Sequence, residues 1–255
     1  MRIVTWNVNG VRAVAKKGLL EFIQKTDPDI FCVQESKAHP DQCEEKLIKP
    51  LGRTSYWSSA YRPGYSGTIT YLKAAPVSVQ QSIGIKKFDC EGRFVITEQN
   101  GFLLYNVYFP NGGSGEERHR FKQEFLIRLK EHLLKKLHSG HEIILVGDYN
   151  IAPENIDVYD PVNLANQSGF LPEERRWFGE FLADGFVDLF RHFHSNEKFR
   201  YTWWNYLDQG RTGNRGWRID HICVSRGLMS RMKSCEILDD VTGSDHCPVT
   251  CELDA

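Results

Sequence analysis

Polar side chains stand where several apolar runs of this sequence stop, and their types are those that can hydrolyse a phosphate ester. These residues are Asn7, Glu35, Tyr108, Asn111, Asp148, Asn150, Asp220, Asp245 and His246. A rigid scaffold commonly presents functional groups at strand ends and in the loops that follow them. Carboxylates hold Mg²⁺ and leave room for a substrate phosphate. A further carboxylate can deprotonate water, and His, Tyr or Asn can bond the phosphoryl oxygens as charge develops.

Each of these residues also has an ordinary structural explanation when it is taken alone. Asn7 in WNVNG and Asp148 in GDYN suit turns, and Glu35 suits the start of a helix. The adjacent Asp245 and His246 in TGSDHCPVTCE suit a hydrogen-bonded surface pair. The combination of carboxylates, amides, one His and one Tyr, without a nucleophilic Ser or Cys motif, favours metal-assisted phosphodiester hydrolysis.

The elements that must position these groups can be read from the periodicity of the apolar residues. The chain opens as strand, helix and strand, in RIVTW, KKGLLEFIQKT and DIFCVQ, and residues 55–108 contain short β-rich runs with turns between them. A long amphipathic helix ends at Gly140, and another helix begins at Pro172. Strand groups that each have helices to cover one face predict a four-layer α/β sandwich, with two packed, mostly antiparallel β-sheets flanked by helices.

Composition limits the class of protein. The 255 residues are 41% hydrophobic and 25% charged, and no linker divides them, so we expect one domain over residues 1–255. The sequence contains no membrane-length apolar run and no signal-peptide pattern, which predicts a cytoplasmic protein with no membrane partner. As a separate expectation, the protein is a monomer. Seven scattered cysteines predict reduced thiols, and Cys247 and Cys251 lack the second pair that a zinc site needs.

Residues 198–218, KFRYTWWNYLDQGRTGNRGWR, combine five basic residues with six aromatic ones. One explanation is an ordinary loop whose Trp residues fill the core. The other is a surface on which bases or sugars stack and phosphates bind, with Arg211 and Arg215 as phosphate contacts. Because the net charge is only −1, any nucleic-acid binding must use such a local patch.

The sequence resembles the exonuclease III type AP endonucleases, which are DNA-repair enzymes of the endonuclease/exonuclease/phosphatase superfamily. The matching motifs are TWNVNG, VQESKA, YSG, YFPNG, GDYNIAPENIDV, GWRIDHICVS and SDHCPV, in the order and approximate spacing of that family. They extend over essentially the whole chain. One departure bears on metal binding. Asn9 stands where some relatives have Asp, so this position offers the metal an amide and not a second carboxylate ligand.

The resemblance implies a role for each of the polar residues. It implies metal binding by Glu35, Asn7 and Asp245, water activation by Asp148 with Asn150, phosphate contacts from Tyr108, Asn111 and His246, and orientation of the imidazole by Asp220. For DNA, it implies a pocket for a base-free sugar lined by Trp203, Trp217 and Ile219, minor-groove entry near Leu207, and backbone contacts from Arg12 and Lys16.

The activity implied by the resemblance is Mg²⁺-assisted hydrolysis of the phosphodiester 5′ of abasic sites in duplex DNA, with Mn²⁺ as an alternative cofactor. It also implies 3′–5′ exonuclease activity and the cleaning of 3′-blocked ends. Two other hypotheses remain open. A general deoxyribonuclease or another phosphodiesterase, acting on inositol or sphingolipid headgroups, would use the same catalytic groups. A DNA-binding relative without catalytic activity would lack at least one of these catalytic groups, and the sequence contains all of them.

Overall fold

The computed structural model describes residues 1–206 and 209–254, and two six-stranded sheets account for most of the β-structure in these ranges. The strands are, in chain order, β1 (Arg2–Asn7), β2 (Ile30–Gln34), β3 (Thr54–Ser58), β4 (Thr68–Leu72), β5 (Ser78–Gln80), β6 (Phe94–Gln99), β7 (Phe102–Tyr108), β8 (Glu142–Asp148), β9 (Phe186–Asp188), β10 (Trp203–Trp204), β11 (Gly216–Trp217), β12 (Asp220–Ser225), β13 (Met232–Ile237) and β14 (Val249–Leu253).

The helices cover the outer faces of the sheets, except for α7, whose Leu189 and Phe190 join the core between the sheets. They are α1 (Val11–Ala15), α2 (Leu19–Thr26), α3 (Glu45–Ile48), α4 (Lys86–Asp89), α5 (Glu116–His138), α6 (Pro172–Ala183) and α7 (Leu189–Phe193), with short 3₁₀ segments at Pro40–Gln42, Pro50–Gly52, Asn155–Asp157 and Arg226–Arg231. The start of α6 at Pro172 confirms the predicted helix, and α5 ends two residues before Gly140. In the described part of the chain, no helix is long and apolar enough to cross a membrane.

The order of strands in the first sheet is β13-β14-β1-β2-β4-β3, and in the second β5-β6-β7-β8-β12-β9. Apolar side chains from both sheets form one core between them, with Ile3, Cys32 and Leu104 among its members. On the outer faces, α2 buries Leu19 and Ile23, and α5 buries Phe125, Leu129 and neighbouring residues. Helix, sheet, sheet and helix are therefore stacked, which confirms the predicted four-layer α/β sandwich.

The parallel strand pairs place the polar strand ends together. β1 runs parallel to β2 with Asn7 opposite Gln34, and β7 runs parallel to β8 with Tyr108 opposite Asp148. β12 runs antiparallel to β8, so its first residue, Asp220, also lies opposite Asp148. Asn7 of the first sheet donates a hydrogen bond to Asp148 of the second, so the polar ends of strands from both sheets lie at the same side of the molecule.

Gly147 permits the close approach of β7 and β8 just before Asp148. Its φ is +138°, and a Cβ at this position would lie 2.0 Å from the carbonyl oxygen of Val107. Only glycine fits such a contact with backbone. The glycine therefore sets the position at which the following carboxylate leaves the strand.

Candidate active site

The strand ends open into one cavity of about 520 Å³. Among the residues that line it are most of those predicted from the sequence: Glu35, Tyr108, Asn111, Asp148, Asn150, Trp203, Arg215, Trp217, Ile219, Asp245 and His246. Residues that lie more than 200 positions apart in the sequence therefore share one site. The polar strand ends therefore converge on this cavity, while the role of each residue stays a prediction.

Asp148 lies at the centre of this site and is held by amides on both oxygens. Its Oδ1 accepts a hydrogen bond from the backbone N–H of Asn150 at 2.8 Å. Its Oδ2 accepts from Nδ2 of Asn7 at 2.9 Å and from Nδ2 of Asn150 at 3.3 Å. Burial raises the pKa of Asp148, the charge of Asp220 raises it further, and His246 opposes the rise. A carboxylate with a raised pKa is suited to take a proton from water near neutral pH.

His246 is supported by Asp220 from behind. Nδ1 of the ring lies 2.8 Å from Oδ2 of Asp220, and Nε2 lies 4.0 Å from Oδ2 of Asp148. Burial acts against the charged ring, but the Asp220 carboxylate outweighs it and raises the pKa of His246 to about 10. The structure thus gives the imidazole its partner, which is Asp220 and not the sequence neighbour Asp245.

Glu35 is linked to Asp148 through Asn7, whose Nδ2 donates to Oε1 of Glu35 at 2.9 Å. Lys37 forms an ion pair with Oε2 of Glu35 at 2.8 Å. Burial acts to raise the pKa of Glu35, but the charge of Lys37 and the hydrogen bond from Asn7 outweigh it, and the pKa is lowered. Glu35 is therefore held as a carboxylate at the edge of the cavity.

Asp245 lies beside this group in a network of its own. Nδ2 of Asn9 donates to its Oδ1 at 2.9 Å, and Nε1 of Trp203 donates to its Oδ2 at 3.1 Å. Lys37 in turn hydrogen-bonds Oδ1 of Asn9, which connects the network to the Glu35 side. Burial opposes ionisation of Asp245, but the charge of His246 with these hydrogen bonds lowers its pKa.

The chemistry of the donor groups fits a divalent cation. Ligand atoms of Glu35, Asp148 and His246 lie within 4.8 Å of one another. Nδ1 of His246 is engaged by Asp220, and the oxygen ligands of this group come from the carboxylates of Glu35 and Asp148. The site contains four carboxylates but only three cationic side chains, which are Lys37, His246 and, at the rim, Arg215, so negative charge is in excess. A hard divalent cation with oxygen ligands would compensate this excess. The place of Asn7 and Asp245 beside such an ion stays a prediction.

Tyr108 and Asn111 form the wall beside Asp148. Burial and the charges of Glu35 and Asp148 raise the pKa of Tyr108, so its phenol stays protonated and can donate. The buried Arg93 lies over its ring at 4.8 Å and hydrogen-bonds its carbonyl oxygen at 2.7 Å. Asn111 donates from Nδ2 to Oδ1 of Asn150 at 3.1 Å. The role of Arg93 was not predicted, because nothing in the local sequence shows which residue it faces.

The part of the cavity wall next to His246 and Asp245 is apolar and aromatic. Trp217 and Ile219 belong to a small buried cluster, and the rings of Trp203 and Trp217 meet edge to face with centroids 6.3 Å apart. Trp217 is only 7% exposed, so it serves both the cavity and the core. Arg215 lies at the rim of the cavity. The predicted minor-groove residue Leu207 lies outside the described residues.

The other predicted DNA contacts differ in their surroundings. Arg12 and Lys16 line a neighbouring cavity of about 390 Å³ that shares Lys37 with the first. Arg211 instead donates to the carbonyl oxygens of Asp239 and Val241, at 2.6 and 2.5 Å, and lies over the ring of Trp204. Arg211 therefore braces the loop before Asp245, a structural role that the sequence did not reveal, and its contact with DNA stays a prediction.

Four site residues have left-handed backbone conformations that side chains other than glycine rarely adopt. They are Asn9 (φ 48°), Glu35 (φ 51°), Lys37 (φ 50°) and Asn150 (φ 52°). Such conformations are energetically costly and are concentrated at functional sites. The four lie in the loops just after β1, β2 and β8, so the strain coincides with the positions that turn side chains into the cavity.

A four-layer α/β sandwich whose strand ends carry carboxylates, amides and an Asp-supported imidazole presents the groups needed for metal-assisted hydrolysis of a phosphate ester. The chain belongs to the Endonuclease/Exonuclease/phosphatase family, whose model matches residues 4–246.

Similar proteins span the whole chain. An exodeoxyribonuclease of Bacillus subtilis (strain 168) is 38% identical over 250 residues, which cover 98% of both proteins. A DNA-(apurinic or apyrimidinic site) endonuclease of Dictyostelium discoideum is 37% identical over 261 residues, covering 100% of this chain and 71% of that protein. Among solved structures, the 3′ phosphatase NExo from Neisseria bound to a product DNA hairpin superposes with a TM-score of 0.91 at 29% identity, with 100% of both chains covered.

Proposed function

We propose that this protein is a Mg²⁺-dependent DNA-repair AP endonuclease that cleaves the phosphodiester 5′ of abasic sites in duplex DNA, acting as a one-domain monomer. The observation that carries the proposal is that Asp148 and His246 share one cavity with the aromatic wall of Trp203 and Trp217. A base-free sugar fits an apolar pocket that excludes an intact nucleotide. The AP endonuclease and exodeoxyribonuclease relatives support this substrate class.

The chain supplies the groups for in-line attack by water. Asp148, held by the backbone N–H of Asn150, orients the water and takes its proton as the new oxygen–phosphorus bond forms. The bond from phosphorus to the 3′ oxygen of the preceding nucleotide breaks, and that oxygen leaves and takes a proton from solvent. His246, kept charged by Asp220, donates to a phosphoryl oxygen as negative charge builds on it. Tyr108 and Asn111 border the same space and donate further hydrogen bonds to the phosphate.

Glu35 would hold Mg²⁺, with Mn²⁺ as a substitute, and Asn7 and Asp245 would lie beside it. When bound, the ion would polarise the phosphate and offset charge on the leaving oxygen. Asn7 serves the site in a second way, because its amide fixes the spacing of Glu35 and Asp148. Mn²⁺ takes similar oxygen ligands, so the donor set admits both ions.

We also propose removal of 3′-blocking groups and 3′–5′ exonuclease activity at the same site. A 3′ phosphate presents the same bond to the same groups, and the structural relative NExo is described as a 3′ phosphatase. Leu207 would approach the minor groove, while Arg12, Arg211 and Arg215 would contact the DNA backbone.

The test uses one purified preparation and three duplexes, with an abasic site, with a 3′ phosphate at a nick, and undamaged. We expect Mg²⁺-dependent cleavage of the first two and little cleavage of the third, and EDTA should abolish activity. Glu35→Gln should raise the Mg²⁺ concentration needed for half-maximal rate at least about tenfold, because it removes the main ligand charge. Glu131→Gln, on the exposed face of α5, is the control.

Two results would contradict this function. Full activity in EDTA would remove the metal from the mechanism. Equal cleavage of damaged and undamaged duplex would favour a general deoxyribonuclease, the alternative that shares the same catalytic groups.

A further inference from the structure

A buried ion pair lies beneath the candidate active site and takes no part in the chemistry described above. Lys122 of α5 and Glu174 of α6 are both 0% exposed and bond to each other. Neither side chain lines the cavity. Apolar residues of similar volume usually stabilise such a position as well as or better than an ion pair. Stability alone therefore does not account for this buried ion pair.

The pair is anchored to the backbone of two loops. Nζ of Lys122 donates to the carbonyl oxygen of Asn150 at 2.7 Å. Oε2 of Glu174 accepts from the backbone N–H groups of Gly169 at 2.6 Å and Leu171 at 3.1 Å. The two loops also meet directly, because the N–H of Ala152 donates to the carbonyl oxygen of Gly169 at 2.7 Å. The ion pair thus ties the loop after β8 to the loop before α6.

One of these loops contacts the catalytic carboxylate, and the other contacts the aromatic wall. The N–H of Asn150 fixes Oδ1 of Asp148, in a backbone conformation that is itself strained. Gly169 lies so close to the indole of Trp217 that a Cβ there would be 3.3 Å from the ring. The distance between the carboxylate that activates water and the wall that holds the sugar therefore depends on how these two loops are joined.

We propose that Lys122 and Glu174 are positioning residues, whose ion pair sets the spacing between Asp148 and the aromatic wall of Trp217. The inference rests on the proposed function for its catalytic consequence. Small errors in the placement of reacting groups slow the chemical step and leave binding largely intact. Loss of the pair should therefore act on kcat more than on KM.

The decisive variant is Lys122→Met/Glu174→Leu, which removes both charges and keeps most of the volume. We expect a melting temperature within a few degrees of the parent protein, since no unpaired charge is left buried. On abasic duplex, kcat should fall by about 10- to 100-fold, and KM should change by less than about threefold. Amide hydrogen exchange should become faster at residues 149–152 and 168–171, while the amides of α5 stay protected.

The same two helices offer a matched control. Lys130 of α5 and Glu180 of α6 form an ion pair at 3.0 Å that lies towards the surface and contacts neither loop. Lys130→Met/Glu180→Leu should leave kcat and loop exchange unchanged. A kcat loss of equal size in this control would show that any disturbance between α5 and α6 is sufficient, and would overturn the proposal.

A further variant, Lys122→Met/Glu174→Gln, loses the ion pair and the bond to Asn150 but retains an acceptor for the N–H of Gly169. It should speed exchange at 149–152 more than at 168–171, and it replaces the first variant if that one does not fold. Unchanged kcat with unchanged loop exchange in these variants would overturn the positioning role. If the parent protein does not cleave abasic duplex, the proposed function fails, and the exchange measurement still decides whether the pair ties the loops.

Discussion

At the scale of single residues, the site depends on how neighbours set the charge of one imidazole. His246 sits between Asp220 at 2.8 Å and Asp148 at 4.0 Å, and its pKa is raised to about 10. A ring with this pKa is a cation throughout the physiological range. It can therefore donate to a phosphate without first gaining a proton, and it loses this ability only at alkaline pH.

This arrangement predicts the behaviour of Asp220→Asn and His246→Asn. Each should lower kcat on abasic duplex by a factor on the order of 100 or more, with a smaller effect on DNA binding. Asp220→Asn removes the charge that raises the pKa of His246, so the alkaline limb of the pH–rate profile should move to lower pH. The profile between pH 6 and about 10.5 measures this shift.

The double variant tests whether the two residues act as one unit. If Asp220 works through His246, the double variant should be little worse than either single one. Multiplicative losses would mean that the two residues contribute separately, and the observed contact at 2.8 Å would then have no catalytic role.

At the scale of elements, β12 is held by a buried polar cluster on the side away from the cavity. His221 accepts from Nη1 of Arg218 on Nδ1 at 2.9 Å and faces the carbonyl oxygen of Ile151 with Nε2 at 2.8 Å. A guanidinium only donates and a carbonyl only accepts, so the ring is neutral with its proton on Nε2. Burial, with the charge of Arg218, lowers the pKa of His221 to about 4.

This neutral ring predicts a loss of stability in mild acid. The unfolded chain binds a proton at this position below a pKa of about 6.5, whereas the folded chain does not until about pH 4. The free energy of unfolding should therefore fall as pH drops from about 6.5 to about 4, by up to about 3 kcal/mol from this residue. In His221→Gln, which keeps a donor and an acceptor, urea unfolding should show a correspondingly smaller decrease. An identical pH dependence in both proteins would mean that His221 is not the source.

The elements also show how much the sequence could predict. Strand ends such as Asn7 and Asp148 were predictable because local periodicity marks where a strand stops. The bond between Asn9 and Asp245 joins residues 236 positions apart, so it depends on strand order, which periodicity does not specify. The bracing role of Arg211 and the burial of Lys122 and Glu174 were not predicted for a different reason. A charged residue in a polar loop or an amphipathic helix normally faces solvent, so nothing in the sequence indicates that these side chains are turned inward.

At the scale of the whole molecule, a net charge of −1 must be reconciled with binding to a polyanion. The structure places Arg12, Lys16 and Lys37 around a cavity adjacent to the candidate active site. Positive charge is thus gathered beside the site while the total stays near zero. DNA affinity should then depend on few phosphate contacts, and its dependence on salt should be moderate.

Arg12→Ala should reduce the slope of log K against log salt by up to about one unit, if its guanidinium meets a phosphate. Fluorescence anisotropy with abasic duplex at several salt concentrations, without Mg²⁺, measures the slope. Lys135→Ala is the control, because the last turn of α5 lies beside the start of β8, at the end of the sheet opposite the site. Equal slopes for Arg12→Ala and the parent would locate the DNA on another surface.

The position of β1 between β2 and β14 has a consequence for the timing of synthesis. A ribosome releases β1 and β2 early, with Asn7 and Glu35, but the partner for the other edge of β1 is translated last among the strands. Asp148, Asp220 and His246 are translated in that order, after β2 and before β14. A nascent chain that ends before His246 lacks the imidazole and also lacks β14, which leaves the edge of β1 open. We therefore expect such prematurely terminated copies of this nuclease to have no cutting activity and to expose a surface that chaperones and proteases recognise.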